Sequence, residues 1–525
     1  MNKWTRRAFI TTGVAAGGVV VFGVAIRRGD RSGKVRDLVA DDREELFDVW
    51  LKIGPDNTIT AIIPHADMGQ GVHTSLAMML ADELDADWSQ VRFEEAPAHK
   101  EFANYALARE YSMPGADFPA WLIDSVDGLF FRATQRMGLQ ITGGSTSVRT
   151  TGQIAMRVTG AATRTVLLQA AADEWQVPVS ELSTQGGMIY HEASDRKASY
   201  AHFAPAAADL SMPDKPILKA SDDFAIMGTS PARFDVPQKV NGSAKFGIDA
   251  KLPGMKYATV MAAPVFGGNV VSVDESSIQN MPGIRKVVNL DTAVAVVADG
   301  YWQARQALLS LAVEFSDGGN SGADQEQIFR RFGDDLDAAA SAGDERKDRK
   351  SGNALATLDA ADRIVEAEYR VPYLAHAAME PMNCTAWIHD DQCELWLGTQ
   401  NPLGFAQQVA KAIGMSQSQV ILHNQYLGGG FGRRAFDDFA VQSARIAAEV
   451  PYPVKLVWSR EEDMRHDHYR QASISRFKGG LDGSGNAVAW HNHYVNKHDP
   501  IEAPHIPYGI AAQRIVFTDS ETHVP

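Results

Sequence analysis

Three glycine-rich stretches carry the residue types best suited to holding a ligand. Residues 68–74 read Met68-Gly69-Gln70-Gly71-Val72-His73-Thr74. Residues 142–147 read Thr142-Gly143-Gly144-Ser145-Thr146-Ser147, and residues 428–434 read Gly428-Gly429-Gly430-Phe431-Gly432-Arg433-Arg434. Glycine lets a backbone approach a ligand closely, and a helix start offers unpaired N–H donors to an anion. A single Gly-rich turn is usually only a turn. Three of them, each ahead of an expected helix, suggest one large phosphate-bearing ligand held by backbone amides. Gly432 is followed by Arg433-Arg434, which excludes the Gly-Lys-Ser/Thr phosphate loop, and Arg433 stands where a dinucleotide fingerprint needs its third glycine. The ligand is therefore expected to be neither ATP nor NAD.

Other residues extend this set. Gln400, in Gly398-Thr399-Gln400-Asn401-Pro402, offers a donor and an acceptor to an oxo or amide ligand. Glu380, beside Pro381, is either a site carboxylate or a strand-end carboxylate that binds nearby amides. Late histidines cluster at His466, His468, His491, His493, His498 and His505. His491 and His493 share a face if their segment is a strand, so a zinc or copper site is conceivable there. No HExxH is present.

The elements that position these residues follow from periodicity. Residues 48–63 alternate around Gly54-Pro55-Asp56-Asn57, a hairpin pattern. Residues 73–84, 153–175, 301–311 and 435–448 are spaced as helices, and residues 420–427 as a strand. A loop-rich stretch is expected around Pro205, Pro213 and Pro216, short strands from 234 to 315, and a polar linker or surface excursion over 334–353. At roughly 150 residues per domain, 525 residues make three to four domains of an α+β chain.

The formal charge is −15, and residues 1–28 contribute five cations (Lys3, Arg6, Arg7, Arg27, Arg28) and no acid, leaving −20 on the remainder. So acidic a body excludes nucleic-acid binding, which needs basic surface. Two cysteines, Cys384 and Cys393, exclude a disulfide scaffold and any self-contained four-thiolate cluster. They read as buried small residues, with pairing left open. Arg6-Arg7 ahead of the apolar stretch 8–26 is the pattern of a twin-arginine export signal, long enough to anchor the chain if it is not cleaved. The expected location is the periplasm, with an inner-membrane anchor in that case.

Taken together in this order, the glycine stretches, GTQNP and Glu380-Pro381-Met382-Asn383 resemble the molybdopterin-binding subunit of the xanthine dehydrogenase and aldehyde oxidase family. The isoquinoline 1-oxidoreductase branch, in which the MGQG segment precedes GGGFG, is the nearer likeness. Residues 239–249 (KVNGSAKFGID) are similar to the opening of that family's hammerhead domain. The resemblance covers residues 48–525. It implies a molybdopterin-binding α+β fold with an α/β hammerhead domain. The corresponding division is a signal or anchor over 1–28, an N-terminal molybdopterin-binding segment over 45–215, the hammerhead over 222–330, and a molybdopterin-binding domain over 354–525.

Carried over to matching positions, the resemblance places Gln400 by the metal's oxo ligand, and Phe431 with Gly429, Gly430, Gly432 and Arg433 against the metal's other ligands. Gln70, between Gly69 and Gly71, would bond the pterin or its nucleotide. Gly144 and Ser145 would line the metal from the other side, and Arg470 would orient substrate. The implied activity is oxidation of an aldehyde or N-heteroaromatic with oxygen from water. The implied cofactor is molybdenum–molybdopterin in its cytosine dinucleotide form. The implied partners are a small [2Fe-2S] subunit and a cytochrome c beyond it. Two departures qualify this. Arg433-Arg434-Ala435 replace the Gly-Lys-Glu of xanthine-type relatives, which argues against purines. The family's base, a glutamate in Gly-x-Gly-Glu-Pro, has no counterpart, so it is expected beyond Pro525 in a truncated chain. A non-catalytic family member and a periplasmic zinc- or copper-binding protein are the alternatives.

Overall fold

The computed structural model describes residues 31–113, 115–495 and 506–524. The export signal expected over 1–28, His498 and His505 lie outside the described residues. No helix among the described residues is long and apolar enough to cross a membrane. The chain forms two compact units, one built from residues up to 258 with 378–457, the other from 259–377 with 458 onward. Both mix helices with sheets, so the α+β class holds.

The first unit contains all three glycine loops. Its four-stranded sheet runs Glu45–Phe47, Leu51–Ile53, Ile59–Ile63, Val91–Glu95. The expected hairpin is present, with Ile53 opposite Ile59. Ile59–Ile63 and Val91–Glu95 are parallel, and a parallel pair needs a crossover. Helix Val72–Glu83 supplies it, burying Leu76, Ala77 and Leu80 against the core. The MGQG loop therefore sits at the carboxyl end of a parallel strand, where open α/β sheets keep their ligands.

The same logic repeats further on. Strands Gln392–Leu397 and Val420–Asn424 are parallel, and helix Pro402–Ile413 crosses between them. GTQNP leaves the carboxyl end of one strand, and GGGFG that of the other. The expected helix over 153–175 is Arg157–Trp175, preceded by a π-helical stretch Val148–Met156. Gly160 lets it approach the crossover helix, since a Cβ there would lie 2.4 Å from the Leu80 carbonyl oxygen.

Two expectations are corrected. Residues 334–353 are no linker. Helix Gln325–Ala342 covers most of the first half, capped by Asp324 and ended by left-handed Gly343. It buries Phe329, Phe332 and Leu336, at i, i+3 and i+7. The basic run is strand Arg346–Ser351, an edge of the second unit's five-stranded sheet, paired among the described residues with Ala512–Thr518 alone. Edge strands favour charge because it discourages further pairing. Likewise Pro205 is not in a loop but inside helix Tyr200–Ala208, which buries Tyr200, Phe203, Ala204 and Ala207. The second unit also holds strands Val270–Asp274 and Ile284–Asn289, with helix Tyr301–Ser310 burying Ala304, Ala307 and Leu308.

Candidate functional site

The geometry centres on Gln400, 3% exposed. Its Oε1 accepts the Gly432 N–H at 3.1 Å. Its Nε2 donates to the Thr142 carbonyl at 3.0 Å, and its own carbonyl accepts from Thr142 N at 2.7 Å. Thr142 Oγ1 in turn accepts from Ala66 N, at the base of the MGQG loop. A Cβ on Gly430 would lie 2.6 Å from Met68 Sδ and 2.8 Å from Gln400 Oε1. The loops at 68–74, 142–147 and 428–434, separated by up to 360 residues of sequence, thus meet around one buried amide.

Not every loop amide faces a ligand. Asp67, 1% exposed, takes the N–H groups of Gly69 at 2.9 Å and Gly71 at 3.0 Å. The start of the crossover helix is therefore filled by the chain's own carboxylate, itself neutralised by Lys239 Nζ at 2.9 Å. Gln70 closes its loop, accepting from Met68 N and donating to the Ala66 carbonyl. Gly143 N donates to Ser147 Oγ. By contrast, the amides of Gly144, Ser145, Gly429 and Gly430 have no acceptor among the described residues. Phe431 sits at φ 57° with 59% of its surface exposed, so the turn spends backbone strain to present that ring outward.

The two arginines after GGGFG turn into the protein. Arg434, fully buried, donates to the carbonyls of Gly429 and Glu380 and pairs with Glu380 Oε2 at 2.9 Å. Arg433, 1% exposed, makes a two-pronged pair with Asp438, both bonds 2.8 Å. Glu380 resolves to the strand-end reading. Its carboxylate accepts from Ile248 N, Gly428 N, Asn383 Nδ2 and Arg434, which leaves it tying the turn rather than facing substrate.

Arg470 belongs to the second unit, where its main chain pairs with Leu374 and it is exposed. His491 and His493 lie on strand Ala487–Val495 of the same unit. They bond the Arg514 carbonyl and Thr518 Oγ1. Burial lowers the pKa of His493 to about 4. Among the described residues no three His, Cys, Asp or Glu side chains gather as a metal site. Cys384 and Cys393 are both free and fully buried, and burial pushes the Cys393 thiol up to about 12.

Glu95 escaped the sequence reading. It ends strand Val91–Glu95, where Val91 and Phe93 alternate with Arg92 and Glu94, so nothing in the pattern marks it. Burial pushes its pKa to about 8, aided by nearby Asp67 and opposed by a hydrogen bond from Asn424. His73 Nε2 lies 3.7 Å away. His73 bonds the His65 carbonyl, and burial holds its pKa below the ordinary value.

Two segments match models described as a molybdopterin cofactor-binding domain, over residues 340–513 and 16–106. The isoquinoline 1-oxidoreductase beta subunit of Brevundimonas diminuta is 30% identical over 91% of this chain and 62% of its own length. A membrane-bound aldehyde dehydrogenase (pyrroloquinoline-quinone) of Gluconacetobacter polyoxogenes is 31% identical over 92% and 59%. A nicotinate dehydrogenase subunit of Pseudomonas putida is 25% identical over 85% and 35%. The chain thus spans about three-fifths of the length of the first two relatives. These matches agree with the loop order seen here, and the chain belongs to the molybdopterin-binding subunits of the xanthine dehydrogenase and aldehyde oxidase family.

Proposed function

We propose that the three converging loops cradle a molybdenum–molybdopterin cofactor and that the protein is a molybdenum hydroxylase subunit acting on an aldehyde or an N-heteroaromatic. The observation that carries this reading is the meeting of residues 68–74, 142–147 and 428–434 at Gln400. The residues present fit such a group. Four unspent amides at two glycine turns offer donors to an anionic ligand, and Gly430 stands where no side chain can. When bound, the cofactor supplies two-electron oxidation with oxygen drawn from water.

The chain's own contribution is positional. Gln400 Nε2 keeps a second N–H beyond its bond to Thr142 and would donate it to the cofactor. Gln70 has a similar second N–H beyond Ala66. Gly144 and Ser145 would donate from one side, Gly429 and Gly430 from the other. Phe431 would wall the substrate side and help exclude water. Arg433 would act indirectly, fixing the turn through Asp438. Glu380 is not assigned the base, because its acceptors are already filled. The cytosine dinucleotide form of the cofactor, a [2Fe-2S] partner and a cytochrome c acceptor complete the proposal.

The test is metal and pterin analysis of protein made in a host that synthesises the cofactor. Gln400→Ala should leave the unit folded yet lower molybdenum per chain about tenfold, the size of one lost charge-assisted contact or two ordinary ones. Full molybdenum content in that variant contradicts the assignment of Gln400. A wild type devoid of molybdenum contradicts the function.

The twin-arginine reading of residues 5–10 leads us to place the protein in the periplasm, exported with its cofactor in place and held at the inner membrane if the signal stays attached. Changing Arg6 and Arg7 together to Lys should leave the protein in the cytoplasmic fraction. Undiminished export would remove the targeting assignment.

A further inference from the structure

A cavity of about 250 Å³ opens beside the crossover helix. Glu95, His73, Asn424, Lys245 and Tyr426 all contribute to its wall. Glu95 keeps 25% of its side chain exposed there, so protons can reach it. Its other face meets Asn424, whose Nδ2 donates to Glu95 Oε1.

Asn424 does more than partner Glu95. Its Oδ1 accepts from Thr399 N at 2.9 Å, and its Nδ2 also reaches the Thr399 carbonyl at 3.3 Å. Strand Val420–Asn424 pairs with Gln392–Leu397 as far as Leu397 opposite Asn424. Past that point the side-chain amide of Asn424 stands in for the missing rung, holding both polar groups of the Thr399 peptide. Thr399 is followed directly by Gln400, and Thr399 Oγ1 and Gln400 N both bond the Arg434 carbonyl. The Thr399 N–H already requires the Asn424 oxygen to face it, and Glu95, accepting from Nδ2, holds the amide in that orientation.

We propose that Glu95, acting through Asn424, is a positioning residue that holds the Thr399–Gln400 turn in place for the cofactor loops. The inference rests on the reading of Gln400 given above. Charged and titratable groups surround Glu95 on every side. Asp67 on the MGQG loop repels a second negative charge. His73 on the crossover helix is held neutral by burial. Lys245 and Tyr426 line the same cavity, and Lys239 lies over the Tyr426 ring at 4.9 Å. Losing the Glu95 proton places a second carboxylate beside Asp67, while the bond from Asn424 Nδ2 favours that ionised form. The Asn424 latch on the turn should therefore tighten as pH rises past about 8.

The test is amide hydrogen exchange of the peptide covering residues 398–402 in the cofactor-loaded protein, corrected for the base catalysis of exchange. Protection in wild type should rise about tenfold between pH 6.5 and pH 9, the scale of one or two hydrogen bonds. Glu95→Gln should hold it constant across that range. Asn424→Ala, or Asn424→Ser if the first does not fold, should lose it at both pH values. An equal pH dependence in wild type and Glu95→Gln, or unchanged protection in the Asn424 variant, would overturn the proposal. Molybdenum is measured on the same samples. Metal-free wild type that still tightens with pH refutes the cofactor reading and leaves the latch standing. Loaded wild type with flat protection refutes the latch alone.

Discussion

Glu380→Ala should cost about 3–5 kcal/mol of unfolding free energy, because it strands a buried guanidinium. Arg434 is fully buried, and the carboxylate it pairs with is that of Glu380. The same substitution also removes the acceptor for Gly428 N and Ile248 N, two part-buried backbone donors. A urea titration of the purified protein reads the effect as a lowered midpoint at similar slope. Glu380→Ala combined with Arg434→Met should recover part of the loss, since no unpaired charge remains. If Glu380→Ala changes the midpoint by less than about 1 kcal/mol equivalent, the carboxylate is not tying the turn. The prediction separates the two sequence readings of Glu380, because a carboxylate kept for chemistry would be dispensable to the fold.

The contribution of Glu95 to stability should also fall between pH 6.5 and pH 8.5. Its folded pKa of about 8 lies above the ordinary 4.5. The folded protein therefore binds a proton that the unfolded chain releases. That contribution is complete below pH 4.5 and is lost as pH rises to 8. Across 6.5 to 8.5 the loss attributable to Glu95 is about 2 kcal/mol. Groups with depressed values run the other way at lower pH. His65, lowered by burial to about 3, and His493, lowered to about 4, make stability rise towards pH 6.5. Asp437, raised by burial to about 6, has lost most of its contribution by then. At pH 6.5 the unfolded imidazole is still half protonated, so His65 and His493 each go on adding about 0.4 kcal/mol across the window, and it is the difference from Glu95→Gln that isolates Glu95. Glu95→Gln should flatten the pH dependence of the urea midpoint there. A wild-type and a Glu95→Gln profile that run parallel would exclude Glu95 as the titrating group.

The sequence made the cradle's parts legible but not its closure. Glycine loops before helices follow from local chemistry, and the crossover helix Val72–Glu83 is announced by Leu76, Leu80 and their neighbours. That residues 142–147 and 400 share hydrogen bonds is a tertiary fact with no local signal. The loops looked like amide donors throughout, yet Asp67 occupies two of those donors, and only the three-dimensional turn reveals it. The segment 334–353 looked like a linker because its charge is real, while the apolar residues that fold it, Phe329 and Phe332, precede the window. Arg346–Ser351 becomes a strand only because Ala512–Thr518 lies open to pair with it. Glu95 stayed hidden because a single carboxylate at a strand end resembles any surface residue until its neighbours are known.

The most direct check is the position of molybdenum by anomalous scattering in crystals of the cofactor-loaded protein. The account predicts a single strong peak in the space bounded by Met68, Gly430, Ser145 and the Gln400 amide. A peak bound at His491 and His493, or one remote from all three glycine loops, would contradict it.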